Sequence, residues 1–351
     1  MLWKVVRREL LDHMTSFRFG AVFALSLLLL VTSTMVFSAH YETVMRELPR
    51  RVERLVDEDG KTDLSQVPWT NSYVLARAPS PLAFCAGSAE RELPNAMRFA
   101  VHSINWLGRK GEVDGFAAAA GAIDWAFIIG VLLSFAAGLL TYRSIAGEQQ
   151  DGTLTLVLAN PLSRGTLLGG KYLAALLALG VALVFGMVSS LLVLQIAGKV
   201  QLAAAHWGKL FFVGAISLLY LSCFVLIGLL CSIFSRNATI AAIAFLFSWT
   251  FLVFVVPNLG GILAGRIGAV RTPYQIMEFG ANIRNQIPVT AGMDARDEGK
   301  VRLKREYARE KLLLDYVDEL ARQVELGKNL TRISPTPTFI YAIEEVTGGG
   351  I

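Results

Sequence analysis

Gly165, Gly170 and Lys171 satisfy the spacing G-x-x-x-x-G-K, in which a glycine-rich loop cradles phosphates with its backbone N–H groups and the lysine reaches their far end. Tyr172 stands where such a loop needs Ser or Thr to hold magnesium, and no strand pattern precedes the first glycine. The chain therefore carries no ATPase site of this kind, and Lys171 is expected to open a membrane helix as a snorkelling, positive-inside lysine. The histidines His13, His40, His102 and His206 are isolated from one another and from paired carboxylates. Cys85 stands alone, and Cys223 and Cys231 share one apolar stretch, so neither a disulfide framework nor a metal spacing can be written. No catalytic, cofactor-binding or metal-ligating set is assigned, and the chain is not expected to be an enzyme.

The polar residues that do cluster lie between two long apolar segments, in GEQQDGTLTLVLANPLSRGTLLGGK from Gly147 to Lys171. This stretch combines an acidic residue, loop glycines, a short apolar run, an Asn-Pro break and a basic exit. It reads as a helix leaving the membrane through Arg143 to Glu148, a turn near Gly152 and a short helix Thr153 to Ala159. That helix is stopped at Asn160-Pro161, and Ser163 is placed to cap the next one. Leu154, Leu156, Val157 and Leu158 give the short helix apolar surface for lipid headgroups or for a groove of a partner.

The elements around this loop are dictated by composition. The 351 residues are 54% hydrophobic and 17% charged, with a mean hydropathy of +0.51, far more apolar than a soluble domain. Crossing a hydrocarbon core of about 30 Å takes about 20 apolar residues as a helix, because every backbone polar group must be satisfied within the segment. Five stretches qualify: 20–39, 123–142, 172–197, 210–234 and 238–264, each effectively free of charge. The expected fold is an all-α, polytopic membrane protein with two extracytoplasmic, largely helical segments, 40–122 and 265–351.

If the spans alternate, Lys4, Arg7, Arg8, Arg18, Arg143, Arg164, Lys171 and Arg236 gather on one side, which the positive-inside rule makes cytoplasmic. The N-terminus and the loop 143–171 are then cytoplasmic, and Cys85 is extracytoplasmic and open to an impermeant thiol reagent. Residues 1–19 are too long and too acidic for a signal peptide's leading region. They form instead an amphipathic interfacial helix, with Leu2, Trp3, Val6, Leu10, Met14 and Phe17 on its apolar face. Outside the membrane, helices are predicted near Tyr41 to Val56 and over Asp294 to Leu326. In the second, Val301, Tyr307, Leu314, Val317, Leu320 and Val324 form an apolar face amid charges.

A gradient-driven transporter places ionisable groups at depth, whereas the deepest polar side chains here are Gln195 and hydroxyls. Energy for any transport must come from elsewhere. Glu148, Gly152-Thr153-Leu154, Pro161, Ser163-Arg164 and Gly170-Lys171, at this spacing, resemble the pattern after the second span of type 2 ABC transporter permeases; Gln149 stands where relatives more often carry a basic residue. The interfacial helix with Arg7, Arg8 and Glu9, the long segment after the first span and the later spans match the subgroup with large external loops.

The resemblance implies a permease half of an ABC exporter in the bacterial plasma (inner) membrane. Its coupling loop, with Glu148, Gly152, Thr153, Leu154, Pro161, Arg164 and Lys171, would rest on a separate cytoplasmic ABC ATPase that binds the ATP and magnesium. A second permease subunit completes the assembly, and no nucleic-acid partner is implied. In such a machine a stiff continuation of the second helix carries the ATPase's movement to the spans, Gly130 and Gly138 allow close helix contact, and Pro257 kinks the fifth span. A non-transporting scaffold and a membrane enzyme remain the alternatives. Relatives usually have six spans, and after SPTPTFIY (Ser334 to Tyr341) no apolar run of that length remains, so a sixth is expected to be missing.

Overall fold

The computed structural model describes residues 2–60, 72–76, 80–87, 96–100, 103–105, 123–155, 163–268, 270–287 and 294–348. Among them are five helices long and apolar enough to cross a membrane. An amphipathic helix α1 (Leu2–Thr15) leads into α2 (Phe17–Gly60). At about 1.5 Å per residue the 44-residue α2 is about 66 Å long, twice a bilayer core. The span expected at 20–39 and the separate helix expected near 41–56 are therefore one rod, with Pro49 inside it.

The first long segment is not purely helical. Ser72–Ala76 (β1), Ala96–Ala100 (β2) and Ser103–Asn105 (β3) form an antiparallel sheet in the order β1-β2-β3, with Ser72 opposite Ala100 and Phe99 opposite Ile104. The fold is largely helical, as expected, and this small sheet is an addition to the first long segment.

Helix α3 begins at Trp125, where the Asp124 carboxylate accepts from Phe127 N. It widens into a π-helical stretch, Ile128–Leu133, and resumes as Ser134–Thr141. Within that stretch the Gly130 carbonyl accepts from Tyr220 Oη at 2.7 Å and Ser134 Oγ at 2.6 Å. Gly130 thus matters through its carbonyl, since a Cβ there would meet only ordinary contact with Phe339. Gly138 is the closely approached glycine: a Cβ there would run into the Phe245 ring.

After a turn, α4 (Ala146–Gln150) precedes α5 (Arg164–Ala197) and α6 (Ala204–Phe234). Helix α7 runs from Ala238 to Ile267 through a second π-helical stretch, Phe251–Val255. Then come α8 (Pro273–Gln286), α9 (Ala295–Thr331) and α10 (Pro335–Thr347). Helix α8 was not anticipated, although its capping box is visible in the sequence: Thr272 caps Gln275 N, and Gln275 Oε1 accepts from Thr272 N.

Two compact units emerge, Met1–Thr250 with Thr338–Ile351, and Phe251–Pro337. In the first, α5 is the central packing element, lying against α1, α2 and α6. Its contact with α2 is fastened by Ser190 Oγ, which donates to the Leu30 carbonyl and shares a hydrogen bond with Thr34, while Trp125 Nε1 donates to Thr34 Oγ1. Phe339 stacks on Tyr220 with ring centroids 4.2 Å apart. In the second unit, α9 packs on α8 and on the last turns of α7, where Gly260 lies under Thr331.

Cys85 is fully buried, and that burial, with Asp124 adding to it, pushes its thiol well above the usual range. It cannot report topology by labelling as expected, because its buried side chain is closed to the reagent. In a cysteine-free background, Gln201→Cys between α5 and α6 should be labelled by an impermeant maleimide in intact cells. Gln149→Cys should be labelled only after permeabilisation. The reverse pattern would invert the orientation.

Candidate functional site: a buried lysine beneath the loop

Lys171 lies two turns inside α5, and its side chain is only 2% exposed. Its ammonium donates to Glu9 Oε1 and to Glu148 Oε1, both at 2.8 Å. It is neither at a helix start nor snorkelling, which corrects that expectation. The reason is local: residues 164–170 already form two turns of helix, so the lysine emerges where α1 and α4 cover it. Because Gly165 and Gly170 are helical too, the phosphate-loop spacing has no phosphate-loop geometry.

Helix α1 reaches α5 through a close approach. A Cβ at Gly170 would come 2.6 Å from Val5 Cγ1, so only glycine lets the helices touch there. Val6 is buried and His13 is partly buried, while Trp3, Met14 and Phe17 are exposed. The covered face thus includes Glu9 and His13 with Val5 and Val6, a mixed face that the apolar periodicity of α1 does not reveal.

Desolvation defines the electrostatics. A buried ammonium costs several kcal/mol unless paired and hydrogen-bonded, and here two carboxylates answer it. Burial lowers the His13 pKa below 6.5; Glu9 and Asp12 oppose that shift and Lys171 adds to it. His13 Nε2 and Glu148 Oε2 are buried without a hydrogen-bond partner among the described residues.

The loop is tied to other helix ends as well. Ile145 N and Ala146 N both donate to Ser232 Oγ, at 3.0 and 2.9 Å, near the end of α6. These bonds replace intrahelical ones, so the chain turns at 142–145 and restarts as α4. The stiff continuation expected from the second span is therefore a jointed one. Gln150 Oε1 accepts from Ala238 N at the start of α7, and Arg18 sits 5.4 Å above the Tyr142 ring.

Glu148 and Lys171 meet directly. Thr153 donates its N–H to the Glu148 carbonyl at 2.9 Å, while Gly152 makes the intervening turn at φ +71°, a conformation that L side chains rarely adopt. Leu154 begins the short helix expected there, but 156–162, including Pro161, lie outside the described residues. Ser163 caps α5 as read from the sequence, accepting from Thr166 N at 3.1 Å. Arg164 is exposed at that cap, away from the lysine.

Sequence reasoning did not assign Glu9, Ser232 or Gln150 to the site. Their partners lie 162, 87 and 88 residues away, beyond any local pattern.

Removing the cation alone leaves two carboxylates facing each other under cover. Lys171→Met should therefore lower stability by about 3–5 kcal/mol, read as a fall in the detergent-solubilised melting temperature. Glu9→Gln and Glu148→Gln should each cost less, because one carboxylate still answers the ammonium. Equal, small losses in all three would show that the lysine is not held as described.

The model of the family described as ABC-2 family transporter protein matches residues 3–351. Over 135 residues the chain is 33% identical to a "Probable ABC transporter permease protein NosY" of Stutzerimonas stutzeri, covering 34% of this chain and 49% of that one. Over 130 residues it is 33% identical to a protein of the same description from Pseudomonas aeruginosa, covering 33% and 47%. The chain thus spans about half the length of the curated relatives it matches. With a family match that extends over nearly its whole length and five membrane-length helices, the chain belongs to the ABC-2 transporter family.

Proposed function

We propose that this chain is the membrane-spanning permease subunit of an ABC-type exporter in the bacterial inner membrane. ATP hydrolysis on a separate cytoplasmic ATPase, docked on the loop 143–171, drives it; ATP and magnesium are bound by that partner, and a second permease subunit completes the assembly. Family membership and the two permease relatives support this reading.

The observation that carries it is the anchorage of the loop. Lys171 links Glu148 to α1 and α5, Ser232 links the turn to α6, and Gln150 links α4 to α7. A force applied at 151–155, whose residues are exposed or half-exposed, passes to four helices through hydrogen bonds and an ion pair. A packed joint of this kind shifts between arrangements as a body. The turn at 142–145 lets α4 follow the ATPase while α3 stays packed.

Glu148 is unsuitable for testing docking, because a lysine there would bury two cations together. Gly152→Pro imposes φ near about −65° where +71° is required, and Leu154→Glu charges the docking surface without touching the lysine. Both should reduce co-purification of the cognate ATPase by about tenfold or more, a loss of about 1.4 kcal/mol, with unchanged membrane insertion. Retained association in both variants would contradict the docking role and favour a scaffold or a plain surface turn.

A further inference from the structure

Helix α9 packs on α8 with one face and on the end of α7 with its last turns. Ala308, Leu312 and Asp315 line a cleft with α8, while Gly327 and Thr331 meet the end of α7 and Glu319 pairs with Arg271 at 2.5 Å. Roughly across the helix from Ala308, Leu312 and Glu319, at about 100° per residue, lie Leu303, Tyr307, Leu314, Val317 and Val324. All five are more than half exposed.

These residues follow one another at intervals of 4, 7, 3 and 7, the a/d seam of a heptad, with Glu310 and Ala321 in the remaining seam positions. The seam extends for about 32 Å. From Leu303 to Val317 it faces away from the α8 cleft, which Lys311 on its flank also lines, and beyond Val324 the same line reaches Thr331, which meets α7.

The flank of the seam is patterned. Lys304, Lys311, Asp318 and Glu325 occupy successive heptad positions along one edge. All four are exposed and have no ion-pair partner among the described residues. The order of two cations followed by two anions is complementary to itself when reversed.

We propose that α9 pairs antiparallel with α9 of a second copy of this chain along this seam. Leu314 then packs on Val317 of the second copy, Tyr307 on Val324 and Glu310 beside Ala321. Lys311 faces Asp318 of the second copy and Lys304 faces Glu325, each pair formed twice about a two-fold axis crossing α9 between Asp315 and Tyr316. A parallel pairing would instead set Glu310 against its own counterpart in the apolar seam.

The pairing names a surface for the second permease of the proposed function and specifies an identical chain. It rests on that reading only for the presence of two permeases, and the test below does not involve the ATPase.

The test uses the full chain in native membranes, with Cys85, Cys223 and Cys231 replaced by alanine and mild oxidation by copper phenanthroline. Tyr307→Cys with Val324→Cys in one chain should give a disulfide-linked dimer, and either cysteine alone should give almost none. Adding Lys311→Glu should lower the dimer yield at least about threefold, because two attractions become repulsions. Adding Asp318→Lys to that variant should restore it, which a merely structural role for either residue would not do. Equal crosslinking by the single variants, no crosslinking by the double variant at normal membrane levels, or no recovery on charge exchange would each overturn the pairing. So would a crosslinked product containing a different protein.

Discussion

The ammonium of Lys171 has left water, and much of the first unit is arranged to make that tolerable. An isolated buried cation is not tolerated, so the chain must bring carboxylates to it from elsewhere. One comes from α1 and the other from α4, separated from the lysine by 162 and 23 residues. The glycine at 170 lets α1 lie close enough for Glu9 to reach, and the Ser232 and Gln150 hydrogen bonds hold the loop where Glu148 can. A buried ion pair is weak evidence for stability as such. Its value here is positional, since the lysine has few other low-energy placements.

Under the proposed function, this arrangement would pass the movement of a docked ATPase from the loop to the helices that anchor it. The loop's outer turn is built on Gly152 and is exposed, while its inner part is fastened to α1, α5, α6 and α7. Elsewhere along α3 and α7 lie π-helical stretches, Ile128–Leu133 and Phe251–Val255, a feature that commonly marks functional positions in helices. The Gly130 carbonyl, shared by Tyr220 and Ser134, fastens one such stretch to α6. Displacement of the loop would thus reach spans that are locally unlike ideal helices.

Much of this was legible in the sequence wherever the signal is local. Runs of about 20 apolar residues gave the spans, Ser163 before a helical run gave the cap, and Gly152 gave the turn. What escaped depends on distance or on context. Nothing near Glu9 tells that its partner is Lys171, and Ser232 reads as one more hydroxyl in an apolar helix. Nothing local tells that the first span and the helix near 41–56 are continuous, yet α2 runs through both. The small sheet at 72–105 lies in a stretch whose mixed composition carries no clean alternation. The exposed seam of α9 was visible as an apolar face, but only the packing of its opposite side shows that the face is unoccupied within its own unit.

The central claim is that one buried cation couples α1, α4 and the start of α5. Hydrogen exchange of the backbone amides in Lys171→Met tests it most directly, because exchange reports the opening of each segment separately. Residues 2–15 and 146–151 should lose protection together, while the middle of α6 keeps its own. Loss confined to the turn around position 171, with α1 and α4 as protected as before, would contradict the account.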